Sequence, residues 1–172
     1  MFNPPKGLNG VEIVLATSQD WERVRDVRVR ALADAPFAFG SRLEEEQDRP
    51  EAFWRSCLES HAVATFLAIL GHETVGLVRT FVEPEDVTSA QLVSMWVAPH
   101  ARGRRVGRQL VAAVVQWARD HDATSVRLWV TDTNVAARRL YESCGFVLSD
   151  GRQTLPSDPT LSEVAMQLDL GD

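Results

Sequence analysis

Four arginines lie within seven residues in Arg102-Gly103-Arg104-Arg105-Val106-Gly107-Arg108. An apolar run, residues 90–97, precedes this segment, and apolar residues at 106, 110, 113, 114 and 117 follow it. Steps of three and four predict an amphipathic helix over 106–121. The basic segment is therefore a turn from a strand into a helix. The first amides of a helix have no intrahelical partner, and the helix dipole puts partial positive charge there. Gly103 and Gly107 allow close backbone approach. Such a turn can seat a pyrophosphate or similar anion. Taken alone, it reads equally well as a solvated arginine-rich loop. A nucleic-acid patch fits less well, because no aromatic residues interleave with the arginines. A nucleotide P-loop is excluded by the lack of Gly-Lys-Ser/Thr, and a dinucleotide fingerprint by the lack of three spaced glycines.

A second motif follows one helix and one strand later: Asn134-x-x-Ala137-x-x-Leu140-Tyr141-x-x-x-Gly145-Phe146. By itself it describes a capped amphipathic helix ended by glycine. In this order and spacing, the two motifs resemble those of the GCN5-related N-acetyltransferase (GNAT) superfamily, with residues 90–146 the specific part. The family's turn reads Gln/Arg-x-x-Gly-x-Gly/Ala. Arg102 and Gly107 fit it, whereas Arg105 stands at the first glycine.

The resemblance implies a single-domain α/β fold. Its central sheet would be mixed but mostly antiparallel, with six or seven strands splayed in the middle and four or five flanking helices. It also implies acetyl-CoA as co-substrate, with no metal, and transfer to a primary amine by direct attack in a ternary complex. Met95, Trp96 and Val97 would pair their backbone with the pantetheine arm, as an added strand does. Arg102, Gly103, Arg104, Arg105, Val106, Gly107 and Arg108 would hold the pyrophosphate. Asn134 would touch the pantetheine end, and Tyr141 would lie beside the thioester sulfur as general acid. A phenol of pKa ~10 can donate to a departing thiolate of pKa ~8.5. A module that binds acyl-CoA without turnover is the alternative.

A base is harder to name. An alkylammonium of pKa ~10.4 is neutral in about one molecule in 2,500 at pH 7. Some relatives carry a glutamate five residues before the asparagine, where this chain has Trp129. Asp132, Glu83, His100 and a water chain through Ser94 remain as candidates. Cys144 has no histidine near it in sequence and reads as packing. The histidines at 61, 72, 100 and 121 lack metal spacing. For the acceptor, the resemblance points to Pro36–Ser41 and Gly151–Asp158 as pocket walls. The acceptor itself, a small molecule or a peptide amine, is open. Homodimers are common among such proteins, but nothing in the sequence fixes an interface.

The elements that must position these residues follow from the rest of the chain. Residues 1–10, with two prolines and two glycines, read as a flexible arm before one domain over 11–172. Strands are expected at 11–16, 62–70, 75–82, 90–97, 125–130, 146–149 and 164–170. Loops are expected at 84–89 and 150–160. Thr17–Asp20 reads as a capping box. It opens a helix with Trp21, Val24, Val27 and Ala31 inward and Arg23, Arg25, Arg28 and Arg30 in solvent. A proline at 36 ends that helix, and one at 50 starts another. The 172 residues are 45% apolar and 24% charged, with a formal charge of −6. That composition suits one globular domain and disfavours general binding to nucleic acid or anionic membrane. Two separate cysteines and no signal or membrane-spanning segment point to the cytoplasm.

Overall fold

The computed structural model describes residues 10–60 and 62–171. Residues 1–9 of the arm expected over 1–10, together with His61 and Asp172, lie outside them. Seven strands form one sheet: β1 (Val11–Leu15), β2 (Val63–Leu70), β3 (Glu73–Glu83), β4 (Asp86–Val97), β5 (Ser125–Thr131), β6 (Val147–Leu155) and β7 (Asp158–Asp169). Their order is β1-β2-β3-β4-β5-β7-β6, and all neighbours are antiparallel except β4 and β5. Five helices flank the sheet: α1 (Trp21–Asp34), α2 (Leu43–Glu46), α3 (Glu51–Ser56), α4 (Val106–Asp120) and α5 (Val135–Ser143). This is the single-domain α/β architecture expected.

The helices form two layers. A Cβ on Gly76 of β3 would meet the Leu110 side chain of α4 at 3.2 Å. Trp96, paired with the neighbouring Leu77, donates its indole N–H to Asp34 of α1. Adjacent positions on a strand face opposite ways, so α4 and α1 cover opposite faces of the sheet. α4 buries Val106, Leu110, Val111, Ala113, Val114, Trp117 and Ala118. Leaving the polar residues between them outside produces the apolar stripe read from the sequence. Thr17 and Asp20 exchange the reciprocal bonds of a capping box around a 3-10 turn, Ser18–Asp20, and α1 starts directly after it.

Both expected loops are shorter than the sequence suggested. β4 begins at Asp86, so 86–89 is strand. β6 runs on to Leu155 and β7 starts at Asp158, so most of 150–160 is hairpin ladder. Gly151 reads as a loop breaker but sits in a bulge between Leu148 and Arg152, at φ 144°. A bulge absorbs a glycine without ending the strand.

β4 and β5 position the site. They pair only at Ser89↔Ser125, Ala90↔Val126 and Gln91↔Arg127. Beyond Gln91 they diverge. β3 remains the ladder partner of β4, with a bulge: Val93 faces Arg79, Trp96 faces Leu77, and Ser94 and Met95 oppose Val78 alone. Ser94 takes φ 57°.

Candidate functional site

The basic turn leaves the open end of β4. Gly103 has φ 76°, and Arg105 takes the left-handed values φ 65°, ψ 11° at the N-cap of α4. Arg105, at the position of the motif's first glycine, thus adopts a left-handed conformation that favours glycine. Among the described residues no side chain caps this helix, and its ladder begins with Gln109 N–H to Arg105 C=O at 3.1 Å. The amides of Val106, Gly107 and Arg108 precede that first bond, as at any helix start. Arg104, Arg105 and Arg108 are exposed around them.

Arg102 is employed differently. Its Nε donates to Val97 C=O at 2.9 Å, and its Nη2 to Asp34 Oδ2 at 2.5 Å. Trp96 Nε1 donates to the same carboxylate oxygen at 2.9 Å. The Trp96 indole, seconded by Arg102, holds the Asp34 carboxyl below its ordinary pKa. Arg102 therefore bolts the start of the turn to α1. The Trp96 side chain is buried, so only its backbone can meet a ligand. Met95 and Val97 are half-buried on the strand that has left β5.

Gly107 has a packing role. A Cβ there would lie 2.8 Å from Leu140 Cδ2, so the glycine admits α5 against the first turn of α4. At Gly103 an added Cβ meets nothing within 4 Å, and its positive φ is the reason for glycine.

Asn134 caps α5, its Oδ1 accepting from Ala137 N–H at 3.1 Å. At the other end, Gly145 N–H bonds Glu142 C=O at 3.0 Å, and Phe146 N–H bonds Tyr141 C=O at 3.1 Å. This is a Schellman motif with Gly145 left-handed, and the Phe146 and Tyr141 rings pack 5.7 Å apart. Tyr141 is thereby locked and 5% exposed. Burial, with a smaller contribution from Cys144, raises its pKa, and no hydrogen bond to its hydroxyl enters the balance. The phenol stays protonated and keeps its donor. Burial also raises the Cys144 thiol, which disfavours a nucleophilic thiolate.

On the α1 face, the bulge meets a cluster that the sequence reading missed. Arg28 donates Nε to Glu46 Oε2 at 2.9 Å, Nη2 to Glu46 Oε1 at 2.8 Å and to Ser41 at 2.6 Å, and Nη1 to Ser94 Oγ at 3.2 Å. Ser41 also donates to Glu46. The Arg28 and Glu46 side chains are only 12% and 14% exposed. Burial works against the Glu46 charge, but bonds from Arg28 and Ser41 outweigh it and lower the pKa. Arg28 is therefore internal, contrary to expectation. It lies four residues after Val24 and three before Ala31, both buried on that face of α1. The helical spacing carried that signal.

The candidate bases separate clearly. Asp132 is tied to Arg152 at 2.5 Å, and His100 turns to Glu73 at 3.2 Å on β3. Glu83 sits at the β3–β4 hairpin, opposite Asp86 and at the other end of β4 from the splay. Ser94 alone of the four lies in the bulge.

The two segments expected to wall an acceptor pocket do meet. Thr131 Oγ1 at the end of β5 donates to Phe37 C=O at 2.7 Å. Ser157 Oγ donates to Phe39 C=O, and Arg42 donates to Ser157 C=O at 3.0 and 2.8 Å. Pro156 packs on Gly40, 3.5 Å from where a Cβ would be. The 36–42 connector thus roofs the open end of β5 and the β6–β7 hairpin on the α1 face. Among the described residues, no three histidine, cysteine, aspartate or glutamate side chains gather to hold a metal. Among the same residues, no helix is long and apolar enough to cross a membrane.

Comparison with known proteins agrees with this geometry. The acetyltransferase (GNAT) family model matches residues 25–146. A mycothiol acetyltransferase of Thermomonospora curvata is 32% identical over 126 residues, 73% of this chain and 39% of that protein. The N-acetylaspartate synthetase of Mus musculus is 36% identical over 81 residues, 47% of this chain and 27% of that protein. The chain thus spans well under half the length of these relatives. The crystal structure of spermidine N-acetyltransferase from Vibrio cholerae, in complex with CoA and spermine, superposes with a TM-score of 0.76. It covers 95% of this chain and 97% of that one at 17% identity, a likeness of fold.

Proposed function

Because the chain belongs to the acetyltransferase (GNAT) family, we propose that it transfers an acetyl group from acetyl-CoA to an amine by direct attack in a ternary complex. The observation that carries this reading is the splay of β4 from β5. It leaves an unpaired strand edge that runs into the amide-rich start of α4. A pantetheine arm bonds to such an edge as an added strand, with Met95, Trp96 and Val97 supplying backbone groups. The pyrophosphate then meets the amides at 106–108 and the exposed Arg104, Arg105 and Arg108. Arg102 serves by holding the turn, and Asn134 by capping α5 beside the pantetheine end.

In the reaction, the amine nitrogen attacks the thioester carbonyl carbon. A C–N bond forms, the C–S bond breaks, and the sulfur leaves with its electron pair. Tyr141 is the acid. Its raised pKa keeps it protonated. Full proton transfer from a phenol above pKa ~10 to a thiolate of ~8.5 is uphill, so most of its benefit comes as a hydrogen bond that strengthens with the developing charge. An acceptor that arrives as an ammonium first gives one proton to solvent, which frees the lone pair for attack, and the nitrogen gives up a second proton to solvent as the amide forms. The acceptor is a small-molecule or peptide amine. The two free cysteines, Cys57 and Cys144, suit the reducing cytoplasm.

Thermal unfolding with acetyl-CoA tests the donor. Ligand at a hundred times its Kd adds about 2.7 kcal/mol and raises Tm. Thiol release over a panel of amines tests turnover. No stabilisation by acetyl-CoA would overturn the proposal, and stabilisation without thiol release would reduce it to a binding module.

A further inference from the structure

We propose that Glu163 and Trp129 form the seat for a protonated primary amine, so that the acceptor class is cationic. This deepens the acetyltransferase reading and rests on it. Among the described residues, Glu163 is the one buried charged residue, 7% exposed. Its carboxylate receives a hydrogen bond from Gln153 Nε2 at 2.9 Å and, among the described residues, has no ion-pair partner. Burying a carboxylate without a cation is costly, and such groups are normally paired. A cation brought by the substrate supplies the missing partner.

The sheet register puts an aromatic ring beside it. Thr131, Glu163 and Gln153 pair across three strands, and Trp129 pairs with Ala165. Directly paired residues share a face, as do residues two apart on a strand, so Trp129 and Glu163 lie on the same face. Trp129 is 40% exposed, unusual for a tryptophan on a central strand. A Cβ on Gly151 would be 2.8 Å from its Cη2, so the glycine makes room for the ring to lie across β6. An exposed indole on the same sheet face as a buried carboxylate, two positions along the ladder, is a pairing that can hold an alkylammonium ion by cation–π attraction and charge. The face is the one roofed by the 36–42 connector, through the Thr131 bond to Phe37. It also lies at the open end of the splay, where β5 has left β4. Asp132 and Glu46, by contrast, already have cationic partners in Arg152 and Arg28.

The test needs no knowledge of the natural acceptor. In protein labelled with 13C-glutamate and saturated with CoA, the assigned Glu163 carboxyl resonance is followed while ethylammonium chloride replaces sodium chloride at constant ionic strength. A saturable shift at Glu163, weakened in Trp129→Leu, is expected. An unmoved resonance, or a shift that sodium reproduces, overturns the proposal. In parallel, Glu163→Gln, which keeps a polar partner for Gln153, is expected to lower kcat/KM for any amine that turns over by about tenfold or more. It should leave stabilisation by acetyl-CoA unchanged. Failure of acetyl-CoA to stabilise the native protein would overturn the acetyltransferase reading. Normal stabilisation with no ethylammonium response would overturn this proposal alone.

Discussion

Leu140 of α5 lies over Gly107 of α4 so closely that a Cβ at 107 would come within 2.8 Å of Leu140 Cδ2. The contact joins the helix that starts at the basic turn to the helix that carries Tyr141. The two proposed ends of the acetyl-CoA site are therefore held by one packing contact. Gly107→Val forces a branched side chain into that gap. It should destabilise the protein by about 1–3 kcal/mol, as overpacking does. Leu140→Ala in the same chain should recover part of the loss. Thermal unfolding of the single and double variants decides it, and a Gly107→Val protein that melts with the native one refutes the packing role.

Arg105 carries a left-handed backbone that costs a non-glycine residue about 1–2 kcal/mol. Arg105→Gly relieves that strain and keeps the amide geometry, but gives back part of the gain through a more flexible unfolded chain. The unliganded variant should therefore unfold at or slightly above the native temperature. Acetyl-CoA should bind it more weakly at low salt, with the gap narrowing as salt screens the lost charge. Calorimetry at two salt concentrations measures this. Arg105→Val, which tolerates positive φ poorly, should instead lose stability.

The turn and the helices around it were legible because their signals are local. The capping box at Thr17–Asp20, the stripe of α4 and the Gly145 stop each follow from a few neighbouring residues. Residues whose partners lie far along the chain were not legible. Arg102 reads from the motif as a phosphate ligand, and nothing local announces its bond to Asp34, distant in sequence. Arg28 reads as surface until Glu46, Ser41 and Ser94 close around it. Glu163 lies one residue before the strand expected at 164–170, and only the cross-strand register brings Gln153 and Trp129 to its face. Gly151 misled because a bulge and a loop use the same residue.

The Arg28–Glu46 pair gives a prediction with a sign. The Glu46 pKa is lowered on folding from an ordinary value of 4.5. The folded chain then binds its proton less readily than the unfolded chain, so the pair's contribution is present above about pH 4.5 and is lost as pH falls through the folded pKa. Glu46→Gln should flatten the acid limb of a stability profile. At neutral pH, Glu46→Ala leaves the largely enclosed Arg28 without its carboxylate, and should cost about 2–4 kcal/mol. Replacing both, as Arg28→Met with Glu46→Leu, should cost less than Glu46→Ala alone. Urea unfolding across pH tests the set, and an unaltered acid limb in Glu46→Gln would discard the assignment.

Tyr141 allows packing and chemistry to be separated in one substitution. Its ring is locked by the Schellman turn and by Phe146, whereas no described residue makes a hydrogen bond to its hydroxyl. Tyr141→Phe keeps the ring and removes only the hydroxyl, so folding stability near neutral pH should move by less than about 0.5 kcal/mol. If the phenol assists the departing thiolate, kcat should fall by about a hundredfold, within the usual range for one acid or oxyanion donor. Stabilisation by acetyl-CoA should persist. Alkaline pH adds a second readout. The native Tyr141 pKa lies above the ordinary 10.0 because the site is buried. Above about pH 10 the unfolded chain loses this proton while the folded chain retains it, so stability declines as pH rises through that range. Tyr141→Phe should lack that share of the decline. A variant with native kcat would remove Tyr141 from the reaction, even if the alkaline stability profile changed as expected.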